Sequence, residues 1–192
     1  MMTRDGRRHL RLFAFRRDDS GVAAVEFVLI APVVMAILVA LVDFGTLLYT
    51  RFQLDAAVSA AANYALVNAS NVNSTNGSSL ASTLSALVAS SQGSGWANSS
   101  VTVNDGPAAS TSGGVTTSSG SASPADSCYC PTGSAPSPTW GGAQTCGASC
   151  AGGGYAGKFV LVSASRSYSP IISGYGFAAA GTISTSSMVQ VQ

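Results

Sequence analysis

Residues 21–42 read GVAAVEFVLIAPVVMAILVALV: one glycine, then 21 residues in which Glu26 is the only charge. At helical rise those 21 residues cover about 30 Å, the hydrocarbon thickness of a bilayer. The stretch 22–42 is therefore expected to span a membrane as a helix, and the rest of the chain is read outward from it. Six of the nine basic residues, Arg4, Arg7, Arg8, Arg11, Arg16 and Arg17, precede the span. That bias predicts a cytoplasmic N-terminus and places everything after Val42 on the opposite side.

Of the 192 residues, about 20 go to the basic leader and about 20 to the span, which leaves roughly 150 for one small exported domain. After Asp55 the only charged side chains are Asp105, Asp126, Lys158 and Arg166. No basic patch for nucleic acid can be built from them. The one histidine, His9, lies in the leader, so the exported part lacks the imidazole of a Ser-His or Cys-His relay. A non-enzymatic role is expected, with no cofactor and no metal. Arg7-Arg8 and Arg16-Arg17 suggest twin-arginine export of a secreted enzyme only weakly, because the apolar run is long.

Residues 1–21 form a polar, basic leader, expected to be disordered or removed. Helical periodicity then runs past the bilayer through Leu47, Phe52, Leu54, Ala57, Val58, Ala61, Ala62, Ala65 and Leu66, predicting one helix over 22–67. Its Ala-rich part, 56–62, suits either close approach of a neighbouring helix or plain helix propensity. Residues 68–77 (NASNVNSTNG) carry the composition of a helix stop. Leu80, Leu84, Leu87 and Val88 repeat as on a short amphipathic helix, and residues 100–104 alternate like a half-buried strand.

Residues 106–157 are rich in Gly, Ser, Thr and Pro and read as a long loop, too poor in apolar area to fold unaided. Two β-prone segments, 158–168 and 182–191, are expected to pair antiparallel across a turn-rich 169–181. The predicted fold class is α+β: a long N-terminal transmembrane helix extending outside the membrane, then a small domain, 68–192, with a short helix and an antiparallel sheet.

Glu26 is the anomaly. An acidic residue in mid-span costs roughly 2.5–3.5 kcal/mol on insertion scales, less near an interface. A cut after Gly21 would supply compensation: Val22 becomes a free N-terminus whose ammonium lies one helical turn from the carboxylate, or beside that of a neighbouring subunit. Glycine suits a peptidase that must seat the scissile backbone closely. A secretory signal peptide, by contrast, is cut after its apolar stretch, and no good site of that kind follows this one.

A leader ending in Gly21, Glu26 at mature position five with Phe27 after it, and an apolar helix resemble a type IV prepilin signal. Ala24-Val25-Glu26-Phe27, Ala31-Pro32, Val42-Asp43-Phe44-Gly45, Leu47-Leu48-Tyr49 and Gln53-Leu54, with the Ala-rich run to Tyr64-Ala65, resemble the N-terminal motif of TadE-like pseudopilins of the tight-adherence (Tad, or Flp) pilus system. The resemblance covers about residues 18–66 well, with a weaker echo in 162–170 and 184–191. It implies cleavage by a membrane aspartyl prepilin peptidase, insertion in the bacterial inner membrane with the domain outside, contact with membrane lipid, other Tad pilins and the inner-membrane assembly platform, and a role in assembling thin adhesive pili. A TadE-like role is not separated from TadF-like or TadG-like ones on these residues.

Asp43 falls after about 30 Å of helix, where a carboxylate is expected to stay wet at the outer interface; pairing with a partner subunit's arginine is the alternative. Pro32 removes a backbone donor and is expected to kink the helix. Cys128, Cys130, Cys146 and Cys150 all lie on the exported side, where disulfides persist. Their spacing lacks the Cys-x2-Cys of zinc ribbons. Pairing Cys128 with Cys130 is geometrically least comfortable, so cross-pairs between the two halves are expected, closing loops of about 16–22 residues and contributing roughly 3 kcal/mol each in the chain-entropy model. The other architecture these features allow is an uncut single-pass anchor presenting a disulfide-stapled adhesin or envelope-sensing module.

Overall fold

The computed structural model describes residues 20–171 and 180–192. The leader over 1–19 and much of the 169–181 turn lie outside the described residues. Helix α1 covers Ser20–Val67 and continues through Pro32. Two units are distinguished, divided between Leu41 and Val42. In the first, the helix from residue 21 to 41 is exposed almost throughout, with Phe27 72% and Leu29 70% accessible. A helix this apolar is long enough to cross a membrane.

The second unit, Val42–Gln192, is an α+β head. Helix α2 (Gly77–Ala89) follows a 3-10 turn at Ala69–Asn71, and five strands follow it: β1 (Asn98–Val103), β2 (Ala108–Ser112), β3 (Val115–Ser119), β4 (Phe159–Tyr168) and β5 (Gly181–Gln190). The sheet order is β3-β2-β1-β4-β5, and every pairing is antiparallel. The expected partnership of the two C-terminal segments is present, Phe159 opposite Gln190 through Tyr168 opposite Gly181.

The core lies on one face of the sheet. Val101 and Val103 of β1 stand opposite Val162 and Val160 of β4. All four are fully buried with Leu54, Ala61 and Ala65 of α1 and Leu84 and Val88 of α2. Part of the Ala-rich stretch is consumed within the chain: Ala57, Ala61, Ala62 and Ala65 are buried in the head's own core, while Ala56 and Ala60 stay exposed. Small side chains at the buried positions let the helix sit in the core at little side-chain entropy cost.

The reading of 106–157 as loop is corrected at its start, where β2 and β3 form a hairpin. Ser112 pairs with Val115, so Gly113 and Gly114 are the whole connection. Their φ angles of 57° and 84° are those of a two-residue I′ turn, which matches strand twist and admits glycine at both positions. The strands contain little apolar material; hydroxyl bonding replaces it. Ser85 of α2, fully buried, bonds Ser99 and Thr111, each at 2.8 Å, and Thr111 bonds Thr116 at 2.8 Å. Because the Ser99 hydroxyl is donated to the Ser85 carbonyl at 2.7 Å, the remaining protons run one way, from Thr116 to Thr111 to Ser85 to Ser99.

Side chains fasten the α1–α2 connection to the sheet. Lys158 Nζ donates to the Val72 carbonyl at 2.9 Å, and the Ser74 N–H donates to Asp126 Oδ1 at 2.8 Å. The Ser74 hydrogen bonds hold the Asp126 carboxyl below its ordinary value of 3.8, with a smaller contribution from Lys158. A depressed folded value adds stability that is fully present above the unfolded pKa and lost as pH falls through the folded one. Comparing thermal unfolding of the wild type and Asp126→Asn from pH 6 to pH 2 should therefore show a gap that is constant above about pH 4 and closes below it.

Candidate functional site

Gly21 and Val22 occupy the first turn of α1. Among the described residues a Cβ on Gly21 would meet nothing within 4 Å, so they place no packing demand on a glycine here. Val22 and Glu26 are four residues apart on one continuous helix and share a face. An ammonium on Val22 would stand one turn from the Glu26 carboxylate. Both residues are exposed, as is Phe27. Val42, at the far end of the apolar run, is 52% accessible.

The next residue behaves differently. Asp43 is only 6% exposed, which overturns the expectation of a wet interfacial carboxylate. Its Oδ1 accepts the N–H of Ile171 at 2.9 Å, and its carbonyl accepts the Tyr168 hydroxyl at 2.9 Å and the Thr46 hydroxyl at 2.9 Å. The end of β4 is thereby clasped to α1 across more than a hundred residues of chain. Tyr168 and Ile171 carry no local signal of this role; only folding brings them to Asp43.

The cysteines pair as Cys128–Cys146 and Cys130–Cys150, at sequence separations of 18 and 20. Short bridges order the segment between them, Cys128 with Gln144, Tyr129 with Gly157, Thr132 with Thr139 and Ser149 with Tyr155. Tyr129 is buried and meets Trp140 edge to face at 6.1 Å. Leu161 points away from the helices, since its neighbours Val160 and Val162 face the core. It is nevertheless only 8% exposed, which marks the stapled segment as the cover of the sheet's second face.

Asn104, like Tyr168 and Ile171, carries no local signal of its role; it is fully buried at φ 55°. Its amide nitrogen reaches the carbonyls of Ser127 at 2.8 Å, Ala125 at 3.2 Å and Pro124 at 3.4 Å, while its oxygen accepts the Phe159 N–H at 2.9 Å. Asparagine tolerates positive φ better than other side-chain-bearing residues. One residue thus joins β1, the 3-10 turn Ser123–Asp126 and the start of β4. Among the described residues no three His, Cys, Asp or Glu side chains group as metal ligands.

These features define a small α+β head on a long apolar helix compatible with a single-pass membrane anchor. Residues 21–63 match the family described as TadE-like protein. The match begins at Gly21 and ends within α1, leaving α2, the sheet and the stapled segment outside it. No curated protein and no solved structure matches the chain.

Proposed function

We propose that this chain is a pseudopilin-type subunit that serves assembly of Tad/Flp adhesive pili. It is made with a cytoplasmic basic leader, cut after Gly21 by a membrane aspartyl prepilin peptidase, held in the bacterial inner membrane by residues 22–42, and presents its head on the outer side. Its role is structural and not catalytic, exercised through contacts with other Tad pilins and the inner-membrane assembly platform. The observation that carries the reading is a TadE-like match that starts at the glycine itself and covers an exposed apolar helix with one acid at its head.

Each part of the signal has a physical task. The first turn of a helix has no intrahelical partners for its N–H groups, and glycine weakens it further, so the Gly21–Val22 bond can be drawn into a peptidase at small cost. After the cut, the Val22 ammonium neutralises Glu26 in a medium where an unpaired carboxylate is expensive. Intact mass of the membrane-extracted protein should give Val22 as the N-terminal residue. Gly21→Leu should leave essentially all of the protein uncut, as read by the same measurement. A wild-type protein that keeps its leader would instead support the uncut anchor with a stapled adhesin or sensor module.

A further inference from the structure

Asp43 directly follows the apolar run, and the clasp built on it fixes more than the helix. We infer that the end of β4 rests on the lipid surface, with Ile171 held against the outer bilayer interface. The inference rests on reading residues 22–42 as the bilayer-spanning segment. At helical rise those residues use up the hydrocarbon thickness of about 30 Å, so Asp43 lies at the boundary. Whatever is hydrogen-bonded to Asp43 lies at the same depth.

Two groups are. The Ile171 N–H is bonded to the Asp43 carboxylate and the Tyr168 hydroxyl to the Asp43 carbonyl, both at 2.9 Å. The backbone of Ile171 is thereby pinned, yet its side chain is 66% exposed, and neighbouring Phe44 on the helix is 58% exposed. A fixed, uncovered isoleucine bonded to Asp43 and an uncovered phenylalanine next to Asp43 in the chain are each unfavourable in water and favourable where acyl chains meet headgroups. Tyr168, half-buried with its hydroxyl engaged, adds an amphipathic ring of the kind enriched at that depth. The sequence contains no charged residue after Arg166, and the one carboxylate bonded to Ile171, that of Asp43, is already withdrawn from solvent and hydrogen-bonded.

Acidic Asp43 is then a positioning residue. It takes no part in the lipid contact itself but sets the height at which β4 ends.

The test uses the full chain reconstituted in phosphatidylcholine vesicles. Ile171→Trp adds one indole to Trp96 and Trp140, and its emission is obtained by subtracting the wild-type signal. We expect this added emission to be blue-shifted and to fall at least twofold when the vesicles contain lipid brominated near the headgroup end of the acyl chain. Adding Asp43→Ala should release the clasp and abolish most of that quenching. Added emission that is water-like and unquenched, in protein that floats with the vesicles, overturns the inference while leaving the span intact. Quenching that survives in the double variant overturns the positioning role of Asp43. Failure of the wild-type protein to float with vesicles removes the span, and this inference falls with it.

Discussion

Replacing Asn104 with alanine is expected to cost about 4 kcal/mol of folding stability, a large part of what a domain of this size possesses. The side chain is fully buried, and its removal strands the Phe159 N–H together with the carbonyls of Ser127 and Ala125. A buried polar group left without a partner costs about 1–3 kcal/mol, because water does not return to replace what is lost. Alanine must also hold φ 55°, adding on the order of 1 kcal/mol. Two further variants separate these causes. Asn104→Gly relieves the backbone and leaves the groups stranded; Asn104→Asp keeps the acceptor for Phe159 but sets a buried carboxylate oxygen against the carbonyls of Ser127 and Ala125. Thermal unfolding of the full chain in detergent should rank stability as wild type, then glycine, then alanine, with aspartate no more stable than alanine. An alanine variant within 1 kcal/mol of the wild type would contradict the hydrogen-bond geometry.

Serine in place of all four cysteines should produce a different failure. Each bridge closes a loop with a separation of 18 or 20 residues, worth about 3 kcal/mol in the chain-entropy model. The stapled segment is mostly Gly, Ser, Thr and Pro and has little apolar area with which to offset that loss. The helical side of the sheet, with its valines and the two helices, does not depend on the bridges. Local opening is therefore expected, with the open population rising roughly a hundredfold or more. Limited proteolysis should cut first between residues 130 and 157, before any cut in α2 or β4, and exposed Leu161 should raise binding of an apolar dye. Simultaneous cleavage throughout the head would mean the segment and the sheet unfold as one.

How much of this was legible depends on where the information sits along the chain. The apolar run of α1, the Leu80-Leu84-Val88 spacing of α2 and the β-prone residues of β4 and β5 are local patterns, and they appear in the structure close to the expected bounds. The β2–β3 hairpin was missed because its inward positions are Ala109, Thr111, Thr116 and Ser118, which differ little in polarity from the outward serines and threonines. Its one strong signal, Gly113-Gly114, stands in a stretch with many other glycines. Gly21, Glu26 and Phe27 could be singled out because an acid in an apolar run is conspicuous without any structure. Asp43 could not be read correctly from helical counting alone: the groups that bury it come from residues 168 and 171, beyond the reach of any local pattern.

The hydroxyl chain through Ser85 sets the lengthwise position of α2 on the sheet. One helical turn either side of Ser85 stand Ala81 and Ala89, both buried. Sliding α2 by a turn would cover the sheet with a similar small-residue face, so apolar burial by itself barely distinguishes the shifted packing. The shift would, however, leave Ser99 and Thr111 facing a methyl group, each without its partner inside the core. Hydroxyls that contribute little to cohesion thus act as a key, admitting one docking position of the helix and rejecting its near copies.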